Sequence, residues 1–123
     1  MIFDHIGLNV TDFARSRDFY VRALEPLGIV ALFGGENWAM LGANGKPQFW
    51  FGSGGAVPGP IHLAFKSETW EQVDQFYAAA LAAGGRDNGP PGLREYGPDY
   101  YAAFVIDPDG HNVEAVCRVP VAS

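Results

Sequence analysis

Two stretches of the chain share one order of apolar and polar positions: a run of alternating residues, then a run with apolar residues every three or four. In the first, Ile6, Leu8 and Val10 alternate with His5, Gly7 and Asn9. Phe13, Ser16, Tyr20, Ala23 and Leu27 then recur at helical spacing. In the second, Ile61, Leu63 and Phe65 alternate with His62, Ala64 and Lys66, and Trp70, Val73, Phe76, Tyr77, Ala80 and Leu81 form the stripe. Each stretch therefore predicts a strand followed by a helix. Thr11 is the expected N-cap of the first helix with Asp12 in its first turn, and Pro26 and Gly28 close it. Thr69 and Gln72 have capping-box spacing at the start of the second, and Gly84-Gly85 ends it.

Laid over each other so that His5 falls on His62, "HIGLNVTDFARSRDFYVRALEPLG" and "HLAFKSETWEQVDQFYAAALAAGG" match without a gap. Phe13 meets Trp70, Phe19-Tyr20 meets Phe76-Tyr77, Ala23-Leu24 meets Ala80-Leu81, and Gly28 meets Gly85. The chain is thus an internal repeat. After the first helix, strands are expected near Ile29–Phe33, Asn37–Leu41 and Gln48–Phe51. After the second comes the Gly/Pro-rich stretch "RDNGPPGLREYGPDY", then strands at Tyr101–Ile106 and Asn112–Val119. "GANG" and "DPDG" are the turns before the last strand of each copy. The reading is one α+β domain over 1–123, built of two βαβββ repeats (1–51 and 60–119) joined by the linker 52–59. Neither half is large enough to bury its sheet alone.

The last strand raises the chemical question. In "DPDGHNVEAV", Glu114 interrupts an apolar run: Val113, Ala115 and Cys117 share one face, and Asn112, Glu114, Val116 and Arg118 the other. A glutamate there is either solvated on an exposed edge or a ligand facing an interior site. The same division recurs in the strands of His5 and His62, each with an apolar face for a helix and an opposite face bearing one metal-binding side chain. Curved sheets with helices outside would turn His5, His62 and Glu114 into one cavity. Two histidines and a carboxylate suit Fe(II), Mn(II), Ni(II) or Zn(II) and leave open positions for substrate. Glu114 is read as a ligand on that ground. His111, in the turn, is expected to be solvated.

Composition narrows the partners. With 123 residues, 48% hydrophobic and 18% charged, the chain has the makeup of a folded domain. A net charge of −6 argues against nucleic acid. No apolar run approaches the ~20 residues that span a bilayer, and the N-terminus lacks a signal-peptide pattern, so no membrane association is expected. The single cysteine, Cys117, is expected to be a buried small hydrophobe in a reducing cytoplasm.

The segments "DHIGLNVTDFARSRDFY", "IHLAF" and "FVIDPDGHNVEAV" resemble the vicinal oxygen chelate superfamily, which includes glyoxalase I, extradiol dioxygenases, fosfomycin-modifying enzymes and bleomycin-binding proteins. The resemblance spans essentially the whole chain. It implies a glyoxalase-like open curved barrel of paired βαβββ units, one divalent metal on His5, His62 and Glu114, a small oxygen-rich substrate, and a homodimer. It also exposes departures. Glyoxalase I has a carboxylate on the last strand of its first repeat; here the cavity-facing residues of "PQFWFG" are Gln48 and Trp50, neither of which is a base at neutral pH. Phe104 stands where the dioxygenases and the fosfomycin-transferring enzymes have a tyrosine. Glu95 aligns roughly with a helpful dioxygenase histidine, and Gly7 replaces the transferases' threonine. The expected activity is therefore metal-dependent lyase- or isomerase-like or transferase-like chemistry. The alternatives are a dioxygenase-like or fosfomycin-transferase-like enzyme and a non-catalytic small-molecule binder. Arg94, Tyr100 and Tyr101 are the candidates for catalysis, with Arg94 also placed to clamp a carboxylate or phosphonate. Gln48, Trp50, Phe104 and Arg94 are the expected substrate-binding residues.

Overall fold

The computed structural model describes residues 2–120 and contains both repeats. The first runs β1 (Ile6–Asn9), α1 (Phe13–Leu24), a 3-10 turn (Glu25–Leu27), β2 (Val30–Gly34), β3 (Trp38–Ala43) and β4 (Lys46–Gly52). The second runs β5 (His62–Lys66), α2 (Trp70–Ala82), β6 (Arg86–Leu93), β7 (Tyr101–Ile106) and β8 (Asn112–Cys117). Two four-stranded sheets result, in the orders β1-β4-β3-β2 and β5-β8-β7-β6. In each, the opening strand lies parallel to the closing one and the other neighbours are antiparallel. The sheets remain two open surfaces and are not hydrogen-bonded into one barrel.

Local chemistry explains most element ends. The capping box of α2 forms, with the Gln72 amide donating to Thr69 Oγ1 at 3.1 Å and Gln72 Oε1 accepting from Thr69 N at 3.3 Å. At α1 the cap is Asp12, not Thr11: its carboxylate accepts from Arg15 N at 3.2 Å, and the acid also suits the positive end of the helix. Thr11 instead donates its own N–H to Asp109 Oδ2 in the second repeat, at 3.1 Å. Gly28 ends its turn in the left-handed region (φ 79°), as Gly84 does after α2 (φ 97°). Gly85 serves space: a Cβ there would lie 2.4 Å from Val105 Cγ1 and 2.7 Å from Phe19 Cε1.

The Gly/Pro-rich stretch is more regular than expected. Its first eight residues are β6, an edge strand paired with β7 through two register shifts at Asp87/Gly89 and Gly89/Gly92. Pro90 and Pro91 cannot donate to a ladder, which an edge position and bulges tolerate.

The apolar faces of both sheets and both helices meet in one core. Phe19, Tyr20 and Leu24 of α1, Val73 and Phe76 of α2, Phe51 of β4, Val105 of β7 and Val113 of β8 are all fully buried in it. Phe49 of β4 packs edge-on against Phe65 of β5 with ring centroids 5.5 Å apart. A polar joint crosses the same interface, where buried Tyr20 donates to Asp107 Oδ2 at 2.5 Å. Asp107 Oδ1 accepts from the amides of Asp109 (2.9 Å) and His111 (2.8 Å). His111 is fully buried rather than solvated, because its Nδ1 accepts the Ile61 N–H at 3.1 Å and ties the start of β5 to the turn before β8. Cys117 is buried in the core, as expected. No helix among the described residues is long and apolar enough to cross a membrane.

With both apolar faces committed to this shared core, the polar faces turn away from it. His5 and Gly7 are exposed on the first sheet; His62, Ala64 and Lys66 are exposed on the second.

Candidate functional site

Register places Glu114 between two quite different neighbours, Ala64 of β5 and Phe104 of β7. The small Ala64 leaves room beside the carboxylate, and His62 at the head of β5 reaches into it. Its Nε2 lies 2.7 Å from Glu114 Oε1. The other carboxylate oxygen, Oε2, accepts the hydroxyl of Tyr100. Glu114 is fully buried, whereas the His62 side chain is 54% exposed. The pair is thus a buried acid with an imidazole at its mouth. A solvated edge glutamate is ruled out.

Tyr100, Ala102, Phe104 and Val116 form a small apolar cluster around the acid, separate from the main core. The Phe104 ring lies 6.3 Å from that of His62, Tyr96 packs edge-on against Tyr100 at 5.3 Å, and Arg118 stacks over Tyr100 at 4.6 Å. Burial first, and then the hydrogen bond to Glu114 and its charge, push the Tyr100 phenol up to about 12. It is therefore a protonated donor throughout the neutral range.

The other expected residues divide cleanly. Gln48 is exposed and Trp50 half-buried on the face opposite buried Phe49 and Phe51, as alternation requires. Gln48 lines a groove of about 670 Å³ together with His62, Ala64 and Lys66. Arg94 lies over the Phe104 ring, 5.4 Å from its centroid. Tyr101 points the other way, donating to Asp74 Oδ1 of α2 at 2.6 Å and stacking on Trp70 at 4.1 Å. Glu95, next to Arg94, is exposed. His5 is exposed beside Asp4, with Nδ1 2.7 Å from Asp4 Oδ1. The described residues of one chain hold no group of three or more His, Cys, Asp or Glu side chains arranged for an ion, so His5 does not join His62 and Glu114 within one chain. Arg118 was not among the expected residues. The signal for Arg118 is its two-residue phase with Glu114.

His62 and Glu114 are donor types that divalent ions take; one chain holds these two at hydrogen-bond distance, 2.7 Å, and among the described residues brings no third. Tyr100 fixes the other carboxylate oxygen by its hydrogen bond.

Solved structures share this architecture. A glyoxalase/bleomycin resistance protein from Albidiferax ferrireducens is 30% identical, with a TM-score of 0.78 over 97% of this chain and 100% of that one. A glyoxalase-related enzyme from Fulvimarina pelagi is 23% identical (TM-score 0.72, covering 95% and 87%). TioX from a Micromonospora species is 20% identical (TM-score 0.67, covering 97% and 100%). Curated proteins contain no match. The family model described as Glyoxalase/Bleomycin resistance protein/Dioxygenase superfamily matches residues 2–115, and with nearly the whole length covered the chain belongs to that superfamily.

Proposed function

We propose that the protein is a divalent-metal-dependent enzyme of lyase- or isomerase-like type that works as a homodimer on a small, oxygen-rich substrate. The supporting observation is Glu114, an acid buried completely yet reached by His62 from the exposed side of its sheet. His62 and Glu114 would hold the ion, with His5 supplied by a second copy whose first sheet covers this face. A divalent ion there supplies Lewis-acid polarisation of neighbouring substrate oxygens. Tyr100 keeps Glu114 oriented by donating to Oε2. Phe104 and the Tyr100 ring form an apolar floor that narrows the access of water. Phe104 has no proton to exchange, which disfavours ring cleavage or transfer chemistry that relies on a phenol at that position.

Complementation between copies tests the shared site. His5→Ala and His62→Ala chains should each purify without bound ion. Unfolded and refolded together, they should regain metal, because a mixed dimer pairs an intact His5 with an intact His62–Glu114 at one of its two sites. A mixture as empty as its parents overturns the reading. A second reading, a non-catalytic binder, draws on the aromatic cluster of Phe104, Tyr96 and Tyr100. It is favoured if the chain binds aromatic compounds equally well with His5 and His62 both replaced by alanine.

A further inference from the structure

The stretch "GPPGLR" builds a seat for one guanidinium. Arg94 follows the edge strand β6, and its backbone N–H is bonded to Tyr100 O at 2.8 Å. Its side chain then folds back along β6 over two glycines. A Cβ on Gly92 would lie 2.9 Å from Nη1; one on Gly89 would lie 3.2 Å from Nη2 and 3.0 Å from Phe104 Cδ1. Gly89 also has φ +148°, a conformation that side chains resist. Nη2 donates to Pro90 O at 2.6 Å and Nη1 to Leu93 O at 3.4 Å, while the plane rests over the Phe104 ring. Two of five N–H donors are used, and the remaining edge is held in place for a planar partner.

Arg118 occupies the other flank, stacked over Tyr100. Among the described residues neither guanidinium has an acidic partner at ion-pair distance, in a chain of net charge −6. Both stack on rings that border Glu114: Phe104 is its cross-strand partner and Tyr100 its hydrogen-bond donor. Arg94 is half-buried and Arg118 exposed; a guanidinium held in a seat without an acidic partner is preorganised for a planar anion.

We propose that Arg94, seated across the Gly89–Gly92 trough and assisted by Arg118, is a specificity-determining residue that recognises a substrate carboxylate. The substrate class is then a small 2-hydroxy or 2-oxo carboxylic acid with an apolar group to lie on Phe104. This rests on the metal site proposed above for the neighbouring oxygens, but the carboxylate contact itself requires no ion.

Mandelate and its neutral amide, mandelamide, separate the two ideas when titrated calorimetrically into the full-length protein, with and without added Mn(II). Wild type should bind mandelate at least about tenfold more tightly than mandelamide, the scale of a bidentate charge-assisted pair. Arg94→Ala should erase that preference while leaving mandelamide affinity and Mn(II) uptake unchanged. Arg94→Lys should not restore it, because an ammonium lacks the planar fork. Gly92→Ala, which keeps the charge and crowds the seat, should weaken mandelate severalfold. If wild type binds mandelate no better than mandelamide, or if Arg94→Ala keeps the preference, the inference is overturned. An Arg94-dependent preference in a protein that takes up no Mn(II) would uphold it while removing the metal reading.

Discussion

Replacing Tyr100 by phenylalanine tests the site's design most directly. The change removes one oxygen and leaves the ring, so the packing against Tyr96 and Arg118 is retained. What is lost is the only side-chain donor to Glu114 Oε2 among the described residues, on a carboxylate with no solvent exposure. A hydrogen bond to a buried charge contributes about 1.5–3 kcal/mol, and the stranded acceptor keeps its desolvation cost. Relief from burying the phenol hydroxyl offsets only part of this, because that hydroxyl was already paired. In a domain of this size each kcal/mol shifts Tm by roughly 3–6 °C. Urea unfolding of metal-free Tyr100→Phe should therefore show a loss of about 1.5–3 kcal/mol. Outer partners of metal-binding carboxylates typically contribute ten- to a hundredfold in affinity, so Mn(II) or Zn(II) titration should show a loss of that order. Glu114→Gln should cost less in this background than in wild type, since the two changes share the Oε2 bond while the His62 contact at Oε1 is affected in both backgrounds. A variant within about 0.5 kcal/mol of wild type that also binds metal normally would show that Tyr100 does not hold the acid.

Two further outcomes follow from the joints between elements. Tyr20→Phe should destabilise the fold by about 1.5–3 kcal/mol in chemical denaturation, because it strips Asp107 of a donor in the interface between the repeats; a change below 0.5 kcal/mol would contradict that role. Tyr101 is pushed up to about 12 by burial and then by its bond to Asp74 and the charge there. A phenol raised from its usual value near 10 favours the protonated folded state. Its contribution is complete below pH 10 and is lost as pH rises towards 12. The stability gap between wild type and Tyr101→Phe should thus hold steady up to about pH 10 and close above it. A gap that closes below pH 9 would mean the hydroxyl is not bonded in this way.

Periodicity and the internal repeat carried most of the fold, because both depend on chemistry local in the chain. Phe49 and Phe51 are buried and Gln48 is exposed as alternation demands, and Thr69 with Gln72 forms its box. The misses have tertiary causes. β6 hides behind prolines and glycines because it is a bulged edge strand whose composition serves the Arg94 side chain above it. His111 resembles a turn residue until Ile61, distant in sequence, supplies the amide that its Nδ1 accepts. Tyr100 and Tyr101 are neighbours of identical chemistry, and only strand parity sends one to Glu114 and the other to Asp74. The candidate ligands are legible only as far as the faces they occupy. A two-residue period says that His5, His62 and Glu114 lie on polar faces, but not whether two such faces meet inside one chain.

That last point links stability to chemistry. Each repeat has a single apolar face, and the chain buries both in one core through Tyr20–Asp107 and Phe49–Phe65. Once those faces are spent on each other, His5 and His62 cannot also converge within the same chain. A folded chain therefore carries an exposed histidine just before β1 and, on the other sheet, a histidine–glutamate pair. On the proposed homodimer, the assembly equilibrium and metal occupancy become linked, since the ion binds the paired form more tightly than the single chain and so favours association. Gln48, by contrast, lines a groove with His62 of the same chain, so its approach to the second repeat needs no partner. On that proposal only His5 comes from the second copy, and a change at the dimer face should lower metal occupancy while Gln48 and Arg94 stay in place.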